Sequence, residues 1–395
     1  MTATDARRAF DVAIAGAGLP GLALAVAAAD AGLATLLIDR EAIAAPPADD
    51  DGFDTRIYAV SPGSAAFLAR LGAWAELASE RLTPVESMRV TGDLGSVLDF
   101  SAHELDERAL AWIVEERALR RALVRRAHAA GVALLAPATF ASLAFGVDRA
   151  TLTLDTGDAL DARLVVAADG LRSWVREAAG IVAVPKPYAQ TALVANFTCS
   201  NEHHGRAWQW FMPDGGVLAL LPLPGRRVSM VWSAPLPLAA ELAALPAHEL
   251  ALRVAAASHD AQGALALTEG PASFPLSFLR PPAVVAHRLA LVGDAAHGVH
   301  PLAGQGVNLG FGDAAVLADV LRERGPVGDP GAPILLERYA RRRAEPVLAM
   351  QTVTDALARL FGMDQRWLAR LRNSGMATID RFGMVKRALA QPALR

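Results

Sequence analysis

The sequence predicts an α/β protein in three parts: a parallel sheet covered by helices, an inserted antiparallel sheet and a helical C-terminal tail. Three observations carry this. Residues 10–39, "FDVAIAGAGLPGLALAVAAADAGLATLLID", read as strand, glycine turn, helix and strand. Both strands are apolar throughout, as strands covered on both faces are. After about residue 181 the text turns to β-branched and aromatic residues, and from residue 334 it is helical, with a basic cluster at Arg341 to Arg343.

At 395 residues, 53% of them hydrophobic, the chain can bury a large core and divides into two or three units. A net charge of −3 excludes the basic footprint of a nucleic-acid binder. Cys199 is the only cysteine, which excludes an intramolecular disulfide and fits a reducing compartment. "ARRAF" at residues 6–10 faintly suggests an export signal, and the apolar run 16–38 is long enough to suggest a membrane span. Glycines and a proline at turn positions make that run a buried strand–turn–helix–strand instead, so the expected location is cytoplasmic.

In chain order, residues 1–75 form the first part of the nucleotide-binding unit, with helical text at 61–80. Residues 76–100 supply strands to the second unit, and 101–180 return to the first. There "WIVEERALRRALVRRAHAAG" (112–131) reads as an amphipathic helix closed by Gly131, and 151–170 as a hairpin around Thr156-Gly157-Asp158 running into a buried strand. Residues 181–280 are the inserted substrate domain: antiparallel strands over 188–235 broken at "PDGG" and "PLPGRR", a helix over 236–258, and a strand over 272–279. Residues 281–333 complete the first unit with a strand, a turn and a helix at about 305–323, and 334–395 form the tail.

Three turns carry chemistry. In Gly16-Ala-Gly18-Leu-Pro-Gly21, the first glycine permits the tight turn, the second lets a pyrophosphate reach the backbone, and the third lets helix and strand pack closely. The helix N-terminus offers free N–H groups to phosphate, and Asp39, closing the second strand, can accept from ribose hydroxyls. Asp169-Gly170 stands at a second strand end and Gly293-Asp294 at a third. Asp294 can accept from a polyol chain, while Gly304-Gln305-Gly306 leaves bare backbone against a flat ring at a helix start. His297 and His300 with Asp294 also permit a metal reading, which needs three or four donors converging on one point.

Together these motifs resemble those of the class A flavoprotein monooxygenases, the group that includes 4-hydroxybenzoate hydroxylase. The likeness implies a Rossmann-like FAD-binding domain, with the first glycines and Asp39 on the ADP half, Asp169-Gly170 at the pyrophosphate and NAD(P)H, and Gly293-Asp294 at the ribityl chain. His297 and His300 then become loop residues of a flavin floor rather than metal ligands. Longer stretches resemble the ubiquinone-biosynthesis hydroxylases: "DTRIYAVSPGSAAFLARLGAW" (54–74), "FMPDGGVLALLPLP" (211–224), "FPLSFL" (274–279), 291–321 and 339–361. The likeness implies Arg56 near the flavin, with Arg40, Pro301 and Asn308 completing the expected cofactor contacts. Glu116 departs from the family, whose members usually carry Asn or Gln facing the ribityl chain.

The activity this implies is hydroxylation of a polyprenylated phenol in ubiquinone biosynthesis, with NAD(P)H and dioxygen, through a flavin C4a-hydroperoxide. The cofactor carries that chemistry, so no catalytic side chain is expected. Rival readings are hydroxylation of another aromatic compound, an FAD-dependent isoprenoid reductase, or a non-catalytic FAD-binding scaffold. Trp208, Trp210 and Phe211 either line the substrate cavity or form the core of the second unit. The tail, with Arg359, Arg366, Arg370, Arg372 and Lys386, either packs on the FAD domain or lies on the inner membrane or a membrane-bound biosynthetic complex.

Overall fold

A computed structural model gives the fold and describes residues 8–47, 52–300, 302–361, 363, 365–381, 386, 387, 391 and 394. The expected opening unit is β1 (Arg8–Ala15), α1 (Leu19–Asp30) and β2 (Thr35–Ile38). Next come β3 (Ile57–Val60), α2 (Pro62–Arg70), β4 (Thr83–Val85), β5 (Ser87–Thr91) and β6 (Val97–Ser101). β7 (Ala111–Glu115), α3 (Glu116–Ala129) and β8 (Ala133–Leu135) lead to a meander of β9 (Phe140–Phe145), β10 (Ala150–Leu154) and β11 (Ala159–Ala167), then α4 (Trp174–Ala178). The second unit holds β12 (Lys186–Cys199), β13 (Arg206–Phe211), β14 (Val217–Leu223), β15 (Arg227–Pro235), α5 (Leu236–Ala244), α6 (Ala247–Ala257) and β16 (Leu265–Phe278). β17 (Val285–Ala286), β18 (Leu289–Leu291), α7 (Gln305–Glu323), α8 (Pro333–Phe361) and α9 (Arg366–Arg381) complete the order.

The first sheet has the order β17-β18-β11-β1-β2-β8, with β10 and β9 continuing antiparallel from β11. Its central pairs, β18/β11, β11/β1, β1/β2 and β2/β8, are all parallel. α1 is buried almost all round, as its apolar text requires, and packs against both α3 and α7. The three turns at the C-terminal ends of β1, β11 and β18 therefore lie side by side, where ligands of parallel α/β sheets bind.

The second sheet runs β16-β12-β15-β14-β13-β5-β6, so residues 87–101 do join strands of the inserted segment. It is antiparallel except at β5/β13, which is parallel. A small third sheet, β3-β7-β4, was not expected from sequence. It corrects the reading of 112–131: Trp112 to Glu115 are strand, because their apolar, β-branched run pairs with β3 and β4, and the helix begins only at Glu116. Of the helical text at 61–80, the α-helix ends at Arg70, where Gly72 turns left-handed (φ 72°), and short 3₁₀ turns follow at Trp74–Glu76 and Ser79–Arg81. Residues 236–258 form two helices divided at Leu245-Pro246, and the strand expected over 272–279 starts at Leu265.

The tail divides between the two units. α8 packs on α7, where the buried Tyr339 hydroxyl donates to Leu291 O (2.7 Å), and α9 lies on edge strand β6. Among the described residues no helix is long and apolar enough to cross a membrane.

Candidate functional site

The glycine turn is built by close approach. A Cβ on Gly16 (φ 106°) would stand 2.3 Å from Ala168 O, and one on Gly21 only 2.0 Å from Gly16 O. Gly18 differs: a Cβ there would meet nothing within 4 Å, and the residue caps α1 without any side-chain hydrogen bond. Open space thus faces uncapped first-turn amides, the arrangement that receives an anion. Asp39 shapes this turn, accepting from Ala17 N through Oδ2 (2.5 Å) and from Glu41 N through Oδ1 (2.9 Å). Arg120 Nη1 donates to Ala17 O (2.8 Å), while Arg40 lies exposed at the rim beside Glu41.

The other two turns close on the first. Asp169 Oδ2 accepts from Val175 N (3.1 Å), whereas its Oδ1 is buried with no hydrogen-bond partner, and burial pushes the carboxyl above its ordinary value. Gly170 (φ 85°) is open on its Cβ side. The fully buried Arg176 ties this turn to the third, donating from Nη1 to Ala295 O (3.0 Å) and from Nη2 to Leu171 O (3.1 Å). Gly293 (φ 60°) sits where a Cβ would lie 3.5 Å from Pro20 of the glycine turn.

Asp294 projects into the cleft between them. Its side chain has open surface, yet protein surrounds it so closely that desolvation raises its carboxyl, against the charges of His297 and Arg56. Tyr58 on β3 feels Arg56, Glu116, Asp294 and Asp54 together, and burial pushes its phenol up to about 12. The sequence-predicted Arg56, Asp294 and Glu116 therefore gather around one side chain that sequence reasoning missed. Arg56 also reaches the second sheet, its guanidinium 5.1 Å from the Phe274 ring centre. The turn carrying it is held by Glu115 Oε1, which accepts from Asp54 N (2.6 Å), and by Asn196 Nδ2, which donates to Asp54 O (2.9 Å).

Asp313 anchors the opposite wall. It accepts from His297 Nε2 (2.5 Å), Gly293 N (2.8 Å) and Arg343 Nε (2.6 Å) in the interior. Burial would raise this carboxyl, but His297, Arg343 and the hydrogen bonds outweigh it and hold it below the usual carboxylate range. His300 turns elsewhere, donating from Nε2 to Gln190 Oε1 (2.8 Å), with Tyr188 packed edge-on at 5.0 Å. Burial drives its imidazole down to about 4, so it is neutral near pH 7. The two histidines face different partners instead of converging on one point, and both Nδ1 atoms are buried without a hydrogen-bond partner.

Gly304 (φ 66°) caps α7 without a side-chain bond, and a Cβ on Gly306 would meet only Val299, at 3.9 Å. The Asn308 side chain braces this start: its amide accepts from Ser61 N (2.9 Å) and donates to Ala59 O (2.8 Å). Pro301 lies outside the described residues. Trp208 and Trp210 stack at 5.8 Å and pack toward α5 and α6, in the core of the second unit. Phe211, on the opposite face of β13, packs with Leu302 of the α7 entry loop. Asp313, Arg343, Glu115 and Gln190 were not read as site residues from sequence; Asp313 and Asp319 stand in similar apolar text within α7, so nothing local set Asp313 apart.

Comparison with known proteins agrees with this geometry. Residues 9–355 match the family model described as FAD binding domain. Ubiquinone hydroxylase UbiL of Rhodospirillum rubrum is 39% identical over 393 residues, spanning 99% of this chain and 90% of that protein. The 3-demethoxyubiquinol 3-hydroxylase of Escherichia coli is 35% identical, spanning 97% and 98% respectively. Among solved structures, p-nitrophenol 4-monooxygenase PnpA from Pseudomonas putida superposes with a TM-score of 0.76 over 98% of this chain and 99% of that one, at 17% identity.

Proposed function

The chain belongs to the FAD-binding family of ubiquinone-biosynthesis hydroxylases, and we propose that it hydroxylates the ring of a polyprenylated phenol, using NAD(P)H and dioxygen. The observation that supports the reading most is the closure of three strand-end turns on one cleft, Gly16 against Ala168 and Pro20 against Gly293. FAD fits the residues present: open space at Gly18 for a pyrophosphate, an unpartnered buried Asp169 Oδ1, and the Asp294 carboxyl in the cleft.

In this reading Gly16, Gly18 and Gly21 admit the pyrophosphate, and Asp39 keeps lone pairs for a ribose beyond its bonds to Ala17 and Glu41. Asp294 would accept from ribityl hydroxyls, and the Gly304 and Gly306 backbone would take the ring. Bound FAD supplies the activation of dioxygen. The start of α7, where Gly304 caps the helix without a side-chain bond, would stabilise negative charge nearby through the positive end of the helix dipole. His300, fixed by Gln190, is neutral near pH 7. Phe211 and Leu302 keep water from the substrate side, which protects a productive reaction from release of hydrogen peroxide. Oxygen uptake that depends on NAD(P)H and is stimulated by a prenylated phenol tests the reading.

A polyprenylated substrate partitions into lipid. Trp367, Leu371 and Met363 are exposed around the start of α9 beside the exposed Arg370, an apolar and cationic face suited to an anionic membrane surface. Arg372 and Lys386 do not contribute to that face, because they are buried against Asp93 and the Asp99 carbonyl. Peripheral contact through this face is part of the proposal.

A further inference from the structure

A hydroxylase of this kind must place the ring by the α7 entry loop and lead a long apolar chain away from it. Packing between the second sheet and the tail offers one path. Leu302, two residues before Gly304, touches an apolar cluster in which Phe211 of β13 stacks on Phe361 of α8, ring centres 3.6 Å apart and 11° from parallel. Met376 and Ile379 of α9 continue the cluster against β6 as far as Phe100. At Phe100 it meets a surface recess of about 320 Å³, bordered also by Ser101, Glu104, Leu105, Asp380, Lys386 and Arg387.

Polar links also join α9 and the residues after it to the sheet, including Lys386 Nζ to Asp99 O (2.8 Å) beside the recess. Asn373 Oδ1 accepts from Ser96 Oγ (2.6 Å), Arg372 pairs with Asp93, and Asp380 Oδ1 accepts from Asp99 N (3.1 Å). These residues belong to the turn after β5 and to edge strand β6. Between them and Leu302 the contacts are mainly aromatic and thioether, with Met376 Sδ accepting from Ser96 Oγ (3.6 Å) and the Arg372 guanidinium 5.0 Å from the Phe361 ring centre. The opposite face of the sheet is closed by α5 and α6.

We infer that the seam between the second sheet and the α8–α9 pair opens to take the substrate's isoprenoid chain, running from Leu302 past Phe211 and Phe361 to the recess at Phe100. The inference rests on the proposed function. An isoprenoid chain replaces apolar contact with apolar contact, so parting the Phe211–Phe361 stack is compensated when the chain enters. Discrimination by chain length then resides in α9, away from the turns that hold the cofactor.

The test compares kcat/KM for a phenol carrying one isoprene unit with that for its long-chain counterpart. Met376→Trp and Ile379→Trp add bulk to the seam, and each is expected to lower the long-to-short ratio at least about tenfold, the worth of one or two displaced methylenes or more. Because a ratio is read, partial loss of folded protein cancels. An unchanged ratio in both variants overturns the inference and leaves the proposed function standing. A wild-type protein that hydroxylates neither phenol overturns the proposed function, and the inference falls with it.

Discussion

Asp313 of α7 and Arg343 of α8 meet at 2.6 Å in the interior, and the same carboxylate receives His297 and the amide of Gly293. One buried ion pair therefore joins the tail to the turn that carries Asp294. Asp313→Asn leaves Arg343 buried without its counter-charge, a change that costs about 3–5 kcal/mol. Denaturant titration should show that loss; a change within about 0.5 kcal/mol, the range of ordinary surface substitutions, would remove the pair from the scaffold.

Gly18 and Gly21 separate ligand approach from packing. Gly18→Ala has room for its methyl group and a backbone that alanine adopts (φ −66°), so the fold should persist with near-native thermal stability. FAD affinity should still fall at least about tenfold, or 1.4 kcal/mol, because the methyl group occupies the phosphate's approach. Gly21→Ala drives a methyl group into Gly16 O and should destabilise the protein itself. Equal FAD affinity for wild type and Gly18→Ala, read by flavin fluorescence, would show that the cofactor does not approach there.

His300 makes acid stability specific. Its folded value of about 4 lies below the ordinary 6.5, so between those pH values the unfolded chain binds the extra proton. The stabilisation is complete above pH 6.5 and is lost as pH falls toward 4, about 3 kcal/mol in all. Asp294, raised by burial, has the opposite slope above its ordinary value, so the effect must be isolated by a variant. His300→Gln should flatten the stability profile across that interval relative to wild type; an identical acid slope would refute the assignment.

The exposed face around the start of α9 should carry the protein to anionic vesicles at low salt. Trp367→Asp combined with Leu371→Asp is expected to weaken co-sedimentation about tenfold while leaving the buried Arg372–Asp93 pair intact. Folded wild-type protein that stays in the supernatant would mean substrate delivery by another route.

The cofactor side of the site was legible because its demands are local. A turn that excludes Cβ at Gly16 and Gly21 must be written in glycine, and the strand-end Asp169 and Asp294 follow short apolar runs. The brace beneath it was not legible. Asp313 and Arg343 come from different helices, and Arg343 belongs to a basic cluster whose neighbours Arg341 and Arg342 are exposed. Strand β7 was masked for a related reason, since "WIVE" has the burial pattern of either structure until β3 and β4 pair with it. Position on a pleat decided the aromatic residues: Phe211 faces Leu302, and its neighbour Trp210 faces the helices of the second unit.

The most direct measurement supplies the FAD-loaded protein with NAD(P)H, a prenylated phenol and isotopically heavy dioxygen, then weighs the product by mass spectrometry. One heavy oxygen atom in the new ring hydroxyl, with one NAD(P)H consumed per product, is the predicted result. Product oxygen drawn from water, or reduction of the isoprenoid chain without oxygen uptake, would contradict the account.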